Sequence, residues 1–145
     1  MANDDVTATL SGLIGTCRDA ECGFRAAAEA VGDAALQRLF GVYAQQRAQF
    51  RRELQSELTR LGGTPPGHGS VAGALHRALI NLRAAVSDER TIIAEAERGE
   101  DAAIAAYAEA LQVASLPVDV RALILRQAAR VKETHQRLSD LKRAA

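Results

Sequence analysis

Four long segments of this chain repeat apolar residues at every third or fourth position, and short helix-breaking runs separate them. This spacing places apolar side chains along one face of an α-helix. The breaks fall at Gly32–Asp33, in the loop GGTPPGHG at 62–69, and at Pro117. The pattern therefore predicts an all-α chain with helices over about 6–31, 34–61, 89–112 and 117–142, and a shorter helix over about 71–86.

The charge and length of the chain exclude several classes of protein. Its 145 residues predict a single domain over 1–145. Lys plus Arg and Asp plus Glu number 18 each, a balance that argues against nucleic acid or an anionic membrane as a partner. The beginning of the sequence does not resemble a signal peptide, and no apolar run is long enough to span a bilayer. We therefore expect a cytoplasmic protein.

The lengths of the connections predict how the helices are arranged. The first two helices share a short turn, as do the last two, so each pair is expected to be antiparallel. The connection over 62–88 is longer and carries the short helix. It permits the long crossover of ferritin-like folds, so the predicted architecture is a ferritin-like four-helix bundle with a long crossover that carries a short additional helix.

A polar residue interrupts each apolar stripe near the middle of its helix. The midpoints of helices of similar length share one level in a bundle, so these residues are expected to meet in the core. On the fourth helix Gln127 is one such residue, and either His135 or Thr134 is another. Two tyrosine hydroxyls lie close to the same level. The predicted central polar cluster comprises Glu21, Arg47, Glu100, Gln127, His135, Tyr43 and Tyr107.

Two carboxylates in such a core need a metal ion or a cationic side chain, because burial disfavours their charge and they repel each other. Arg47 can supply the cation, since a guanidinium can bind one carboxylate through two N–H groups and still reach another. The sequence therefore predicts a Glu21–Arg47–Glu100 arrangement.

Carboxylates at the middle of a bundle, together with a long crossover, resemble the ferritin-like superfamily. The resemblance implies a pair of iron or manganese ions bound by one Glu from each of two helices and a Glu-x-x-His from each of the others. Here Arg47 and Phe50 stand in the positions expected to be Glu and His, and Lys132 precedes His135 at the motif spacing. The resemblance thus implies that the two-metal site has been lost.

Several segments are similar to those of one bacterial four-helix-bundle family. They include LFGVYAQQRAQFRRELQSELTRLGG, SVAGALHR and ERGEDAA. The chain resembles the family known as domain of unknown function 2383 over about residues 7–142. This resemblance implies a ferritin-like bundle, and the family has no established biochemical activity.

Three functions are compatible with these features. The first is a non-enzymatic binding or structural protein without a cofactor, whose metal site has become an ion-pair cluster. The alternative is an iron or manganese protein for oxidation or storage that uses Glu21, Glu100 and His135. The third is an assembly module that forms a dimer through the helix 71–86.

Two glycines lie beside the central carboxylates in the middle of helices. Gly23 and Gly99 each cost roughly 1 kcal/mol relative to alanine in a helix interior. They indicate either a close approach of two helices or a slot that leads to the cluster.

Overall fold

The computed structural model describes residues 2–65 and 88–145. These residues form an all-α four-helix bundle, as predicted, and neither range contains a β-strand. The predicted helix over 71–86 lies outside the described residues. No helix in the described ranges is both long and apolar enough to cross a bilayer. The helices are α1 (Ala2–Ala30), α2 (Ala34–Arg60), α3 (Glu89–Ala110) and α4 (Val118–Ala144).

Capping residues determine where the inner helices begin. Asp33 precedes α2, and its side chain accepts a hydrogen bond of 2.9 Å from the backbone N–H of Leu36. Asp88 precedes α3 and accepts one of 2.8 Å from the N–H of Thr91. Each cap satisfies a backbone donor that has no partner within its helix. Both starts agree with the sequence prediction, whereas α1 begins at Ala2 rather than near residue 6.

The ends of the helices define the topology. Arg60 pairs with Asp119 at 2.7 Å, which places the end of α2 beside the start of α4. Arg90 donates to the backbone carbonyl of Lys142 at 3.4 Å, which places the start of α3 beside the end of α4. Thus α2 ends and α3 begins at opposite ends of the bundle, as the predicted long crossover requires.

The neighbours of each helix establish the order around the bundle. α1 packs against α2 and α3, while α4 packs against α3 and, less closely, against α2. The order is therefore α1, α2, α4, α3, and α2 and α3 lie diagonally across the core.

The apolar core is divided into two clusters, one toward each end of the bundle. The first cluster contains Leu10, Leu54 and Ile124, and the second contains Phe24, Phe40, Ile93 and Leu138, with further residues in each. Buried polar residues lie between them. The predicted level of polar side chains is thus a layer that interrupts the core.

Candidate functional site

The polar layer consists of five buried side chains contributed by all four helices. Four of them belong to the predicted cluster, and the fifth, Thr134, is the alternative to His135. Each has a relative exposure of 4% or less: Glu21, Arg47, Glu100, Gln127 and Thr134.

An ion pair between Arg47 and Glu100 lies at the centre of this layer. Nη1 of Arg47 donates to Oε1 of Glu100 at 2.6 Å, and Nη2 donates to Oε2 of the same carboxylate. Both side chains are 1% exposed. This bidentate contact, with two parallel hydrogen bonds, is the strongest geometry available to an arginine and a carboxylate. It joins α2 to α3 across the diagonal of the bundle.

Two aromatic rings flank the guanidinium group. Cζ of Arg47 lies 5.4 Å from the ring centroid of Phe24 and 5.9 Å from that of Phe50. These distances suit an attraction between the cation and the ring faces, and an arginine is suited to it because its guanidinium is planar and weakly hydrated. Phe24 belongs to one apolar cluster and Phe50 to the other. Both clusters therefore contribute a ring that stabilises the buried guanidinium of Arg47.

Burial and pairing act in opposite directions on Glu100. Desolvation raises the pKa of its carboxyl group above the ordinary value, while the hydrogen bonds and positive charge of Arg47 lower it. The net direction is upward. Arg47 is therefore the main group that opposes protonation of this buried carboxylate.

Glu21 has different partners from those predicted. Its carboxylate accepts from Nη2 of Arg51 at 3.1 Å and lies 2.6 Å from Nη2 of Arg25. Arg47 contacts Glu100 instead, so the expected Glu–Arg–Glu triad is replaced by two separate ion-paired groups. The reason is geometric: Arg47 extends across the bundle toward α3, while Arg51, one turn further along α2, reaches the adjacent α1.

A chain of hydrogen bonds extends the polar layer toward α4. The hydroxyl of Tyr107 lies 3.2 Å from Sγ of Cys17 and donates to Oε1 of Gln127 at 2.6 Å. Nε2 of Gln127 donates to the side chain of Glu53 at 3.0 Å and to the backbone carbonyl of Phe50 at 3.3 Å. The buried amide is therefore satisfied on both its oxygen and its nitrogen, as buried polar groups require.

The Cys17 thiol and the Tyr107 hydroxyl are held in their neutral forms. Burial raises the pKa of the Cys17 thiol to about 11 and also raises the pKa of Tyr107. A thiol with such a pKa is a poor nucleophile at neutral pH, because the thiolate is the reactive form. The arrangement thus supports packing and hydrogen bonding rather than covalent chemistry.

Two predicted members lie outside the buried layer. His135 is partly exposed, and its Nε2 lies 2.7 Å from Oδ1 of Asp101 on α3. The buried positions on α4 follow Gln127, Val131, Thr134 and Leu138, so the helical phase turns Thr134 inward and His135 outward. Tyr43 is only half-buried, and its ring packs against that of Phe24 at 5.4 Å between centroids. The inclusion of His135 and Tyr43 in the ion-pair layer is therefore corrected.

Replacing Tyr107 with phenylalanine is expected to lower the free energy of unfolding by about 1–3 kcal/mol, because the acceptor oxygen of Gln127 would stay buried without its donor. Chemical denaturation of the variant and the parent measures the change. Tyr43→Phe is the matched control and should have little effect, since the Tyr43 hydroxyl makes no hydrogen bond within residues 2–65 and 88–145. Equal losses in both variants would contradict the assigned network.

A groove between α1 and α3 leads toward the layer. Its volume is about 470 Å³, and Glu100 is part of its lining together with Gly23 and Gly99. A Cβ atom built on either glycine would have no contact within 4 Å in the described chain. The glycines therefore border open space rather than a close helix contact. The structure therefore supports the interpretation that Gly23 and Gly99 border a slot that leads to the polar layer, rather than a close approach of two helices.

The side chains at the centre do not fit the two-metal site that the ferritin-like resemblance implies. No three His, Cys, Asp or Glu side chains converge as metal ligands within residues 2–65 and 88–145. The three residues of the alternative metal site each bind a different partner instead of converging. Glu100 binds Arg47, Glu21 binds Arg25 and Arg51, and His135 binds Asp101. A metal ion at this position would have to displace guanidinium groups from both buried carboxylates.

Comparison with protein families gives a match over most of the chain. Residues 5–113 match the family described as domain of unknown function (DUF2383), a range that includes α2, α3 and all of α1 except its first three residues. A comparison with curated proteins finds no match.

Proposed function

We propose that this chain, which belongs to the DUF2383 family, is a non-enzymatic binding protein of ferritin-like architecture in which ion pairs occupy the place of a metal centre. The buried two-fold contact between Arg47 and Glu100 carries the proposal. A guanidinium satisfies this carboxylate permanently, because an arginine does not lose its proton in proteins. The centre of the bundle is thereby neutralised without a cofactor.

The surrounding chemistry supports a non-enzymatic role. Both buried carboxylates are engaged by arginines, and the buried thiol of Cys17 has a raised pKa. General acid–base catalysis needs a group that can exchange a proton near the working pH and reach a substrate. The binding part of the proposal rests on the groove between α1 and α3, which gives a small molecule a place to bind beside this layer.

Metal analysis tests the proposal directly. Protein purified without added metal should contain only substoichiometric iron, manganese and zinc by elemental analysis, because arginines already engage both buried carboxylates. Calorimetric titration with Mn²⁺ or Fe²⁺ under anaerobic conditions should give no saturable binding. Stoichiometric metal that survives dialysis, and that is lost in Glu100→Gln, would overturn the proposal in favour of the iron or manganese alternative.

Three further expectations belong to the same proposal. They are a cytoplasmic location, the lack of a nucleic-acid or membrane partner, and a dimer formed through the helix over 71–86. The last of these falls on residues outside the described ranges, and the balance of 18 basic and 18 acidic residues supports the second.

A further inference from the structure

The groove between α1 and α3 has an apolar floor and acidic charge. Phe24 and Ile92 line it together with alanines from both helices. The charged residues in its described lining are all acidic: Asp19, Glu95 and Glu100. Such a groove combines apolar contact with one sign of charge, which is the usual basis of selectivity in a small-molecule site.

The three carboxylates are not equivalent. Glu100 is buried and bound by Arg47, so its charge is compensated within the core. Asp19 is exposed at the rim. Glu95 pairs with Arg98 at 2.9 Å, but Arg98 is 74% exposed and belongs to the solvent side of α3. An ion pair with so exposed a partner is weak and is readily exchanged for another cation. The rim therefore retains a negative potential, while the floor is neutral.

The glycines determine the width of the groove. Gly23 on α1 and Gly99 on α3 both line it, and each could carry a side chain without meeting the rest of the described chain. Because glycine disfavours a helix relative to alanine, these positions reduce helix stability while keeping the groove open. That combination favours a role of these glycines in access to the groove rather than in packing.

We propose that this groove binds a small organic ammonium ion whose apolar body lies on Phe24 and Ile92 and whose charged end faces Asp19 and Glu95. The inference rests on the proposed function in one respect, namely that the chain is a binding protein whose centre carries no metal. The groove volume of about 470 Å³ falls within the range of about 300–1,000 Å³ that is usual for small-molecule sites.

The acidic lining of the groove determines that the ligand should carry a positive charge. A carboxylate ligand with the same apolar body would face Asp19 and Glu95 and would be repelled. A neutral ligand would gain the apolar contact but no charge-assisted hydrogen bond. Ammonium, neutral and carboxylate forms of one alkyl chain should therefore bind in that order of affinity.

Titration of isotopically labelled full-length protein with hexylammonium, hexanol and hexanoate, followed by NMR chemical shifts, tests this order. Hexylammonium should bind about fivefold to tenfold more tightly than hexanol, as expected for one partly exposed charge-assisted contact. The shifted resonances should map to α1 and α3 around Gly23 and Gly99. Equal affinity for the three compounds, tighter binding of hexanoate, or no binding of any of them would overturn the proposal.

Two variants and one control locate the site. Asp19→Asn combined with Glu95→Gln should bring hexylammonium to the affinity of hexanol, whereas Glu133→Gln, which removes an exposed carboxylate on α4, should leave the preference intact. Gly99→Leu should block all binding because its side chain would enter the groove. Since leucine favours a helix more than glycine does, this variant should remain folded.

The two proposals can fail separately. Stoichiometric metal in the purified protein would overturn the proposed function whatever the groove binds. Loss of the charge preference in the titrations would overturn the ammonium site while leaving the metal-free ion-pair centre untouched.

Discussion

Replacing Arg47 with alanine should lower the free energy of unfolding by about 3–5 kcal/mol, the cost of leaving one buried charge without its partner. Glu100 is 1% exposed in the parent, and the variant removes both N–H groups from which its carboxylate accepts hydrogen bonds. It also leaves a space between the rings of Phe24 and Phe50. Urea denaturation followed by circular dichroism measures the loss.

The loss should depend on pH. Burial raises the pKa of Glu100, and without Arg47 nothing on the same scale opposes that rise. A carboxyl group whose pKa is raised by folding stabilises the protein below its unfolded pKa and loses that contribution as the pH rises through its folded pKa. The deficit of Arg47→Ala relative to the parent should therefore be smaller near pH 4.5 than at pH 8.

Arg130→Ala is the matched control for this experiment. It removes an arginine from an ion pair with Glu133 in which both side chains are largely exposed, at 59% and 66%. Exposed pairs contribute little, so this variant should differ little from the parent at any pH. A loss below about 1 kcal/mol in Arg47→Ala would show that the central pair behaves like a surface pair.

Replacing both partners, as Arg47→Met with Glu100→Leu, should recover most or all of the stability lost by Arg47→Ala. Apolar replacements of a buried ion pair are often neutral or stabilising by about 1–4 kcal/mol, because no charge has to be desolvated. The two new side chains would connect the apolar clusters on either side of the layer. A double-mutant cycle with Arg47→Met and Glu100→Leu alone gives the coupling energy between the two positions.

The outcome of the cycle separates two roles of the central pair. If each single replacement is costly and the double replacement is not, the pair is coupled and its charges have to be present together. If the loss in the free energy of unfolding of the double variant equals the sum of the losses of the single variants, the two residues act independently. The close contact between them then contributes no coupling energy.

The helices were predictable because their signals are local. The three-to-four spacing of apolar residues, the capping residues Asp33 and Asp88 and the breaker Pro117 each act within a few residues of the boundary they determine. The long crossover was predicted from the length of the connection over 62–88 alone. The predicted start of α1, near residue 6, was less accurate than the others, since no capping residue or breaker marks the boundary there.

The level of the polar layer was predictable, but the pairing within it was not. Spacing indicates that Glu21, Arg47 and Glu100 share a level, yet the order of the helices around the bundle determines which charges touch. Arg25 stands four residues after Glu21, a spacing at which a partner on the same helix is expected, so this contact could have been anticipated. Arg51 could not, because its role depends on α1 and α2 being neighbours.

His135 shows the limit of helical phase as a guide. One residue along a helix turns the side chain by about 100°, so the choice between Thr134 and His135 requires a phase known to within one position. The buried residues of α4 supply that phase, and they place His135 toward Asp101 at the surface.

The diagonal contact between α2 and α3 has a consequence for how the two helical hairpins align. Each hairpin, α1–α2 and α3–α4, presents an apolar stripe that repeats at every turn, so a slide of about 5.4 Å would still bury apolar surface. Such a slide would separate Arg47 from Glu100 and leave two charges alone in the core. The pair therefore makes one alignment of the two hairpins far more favourable than the alignments shifted by one turn. We expect that a core without it can gain stability and yet lose the uniqueness of its packing.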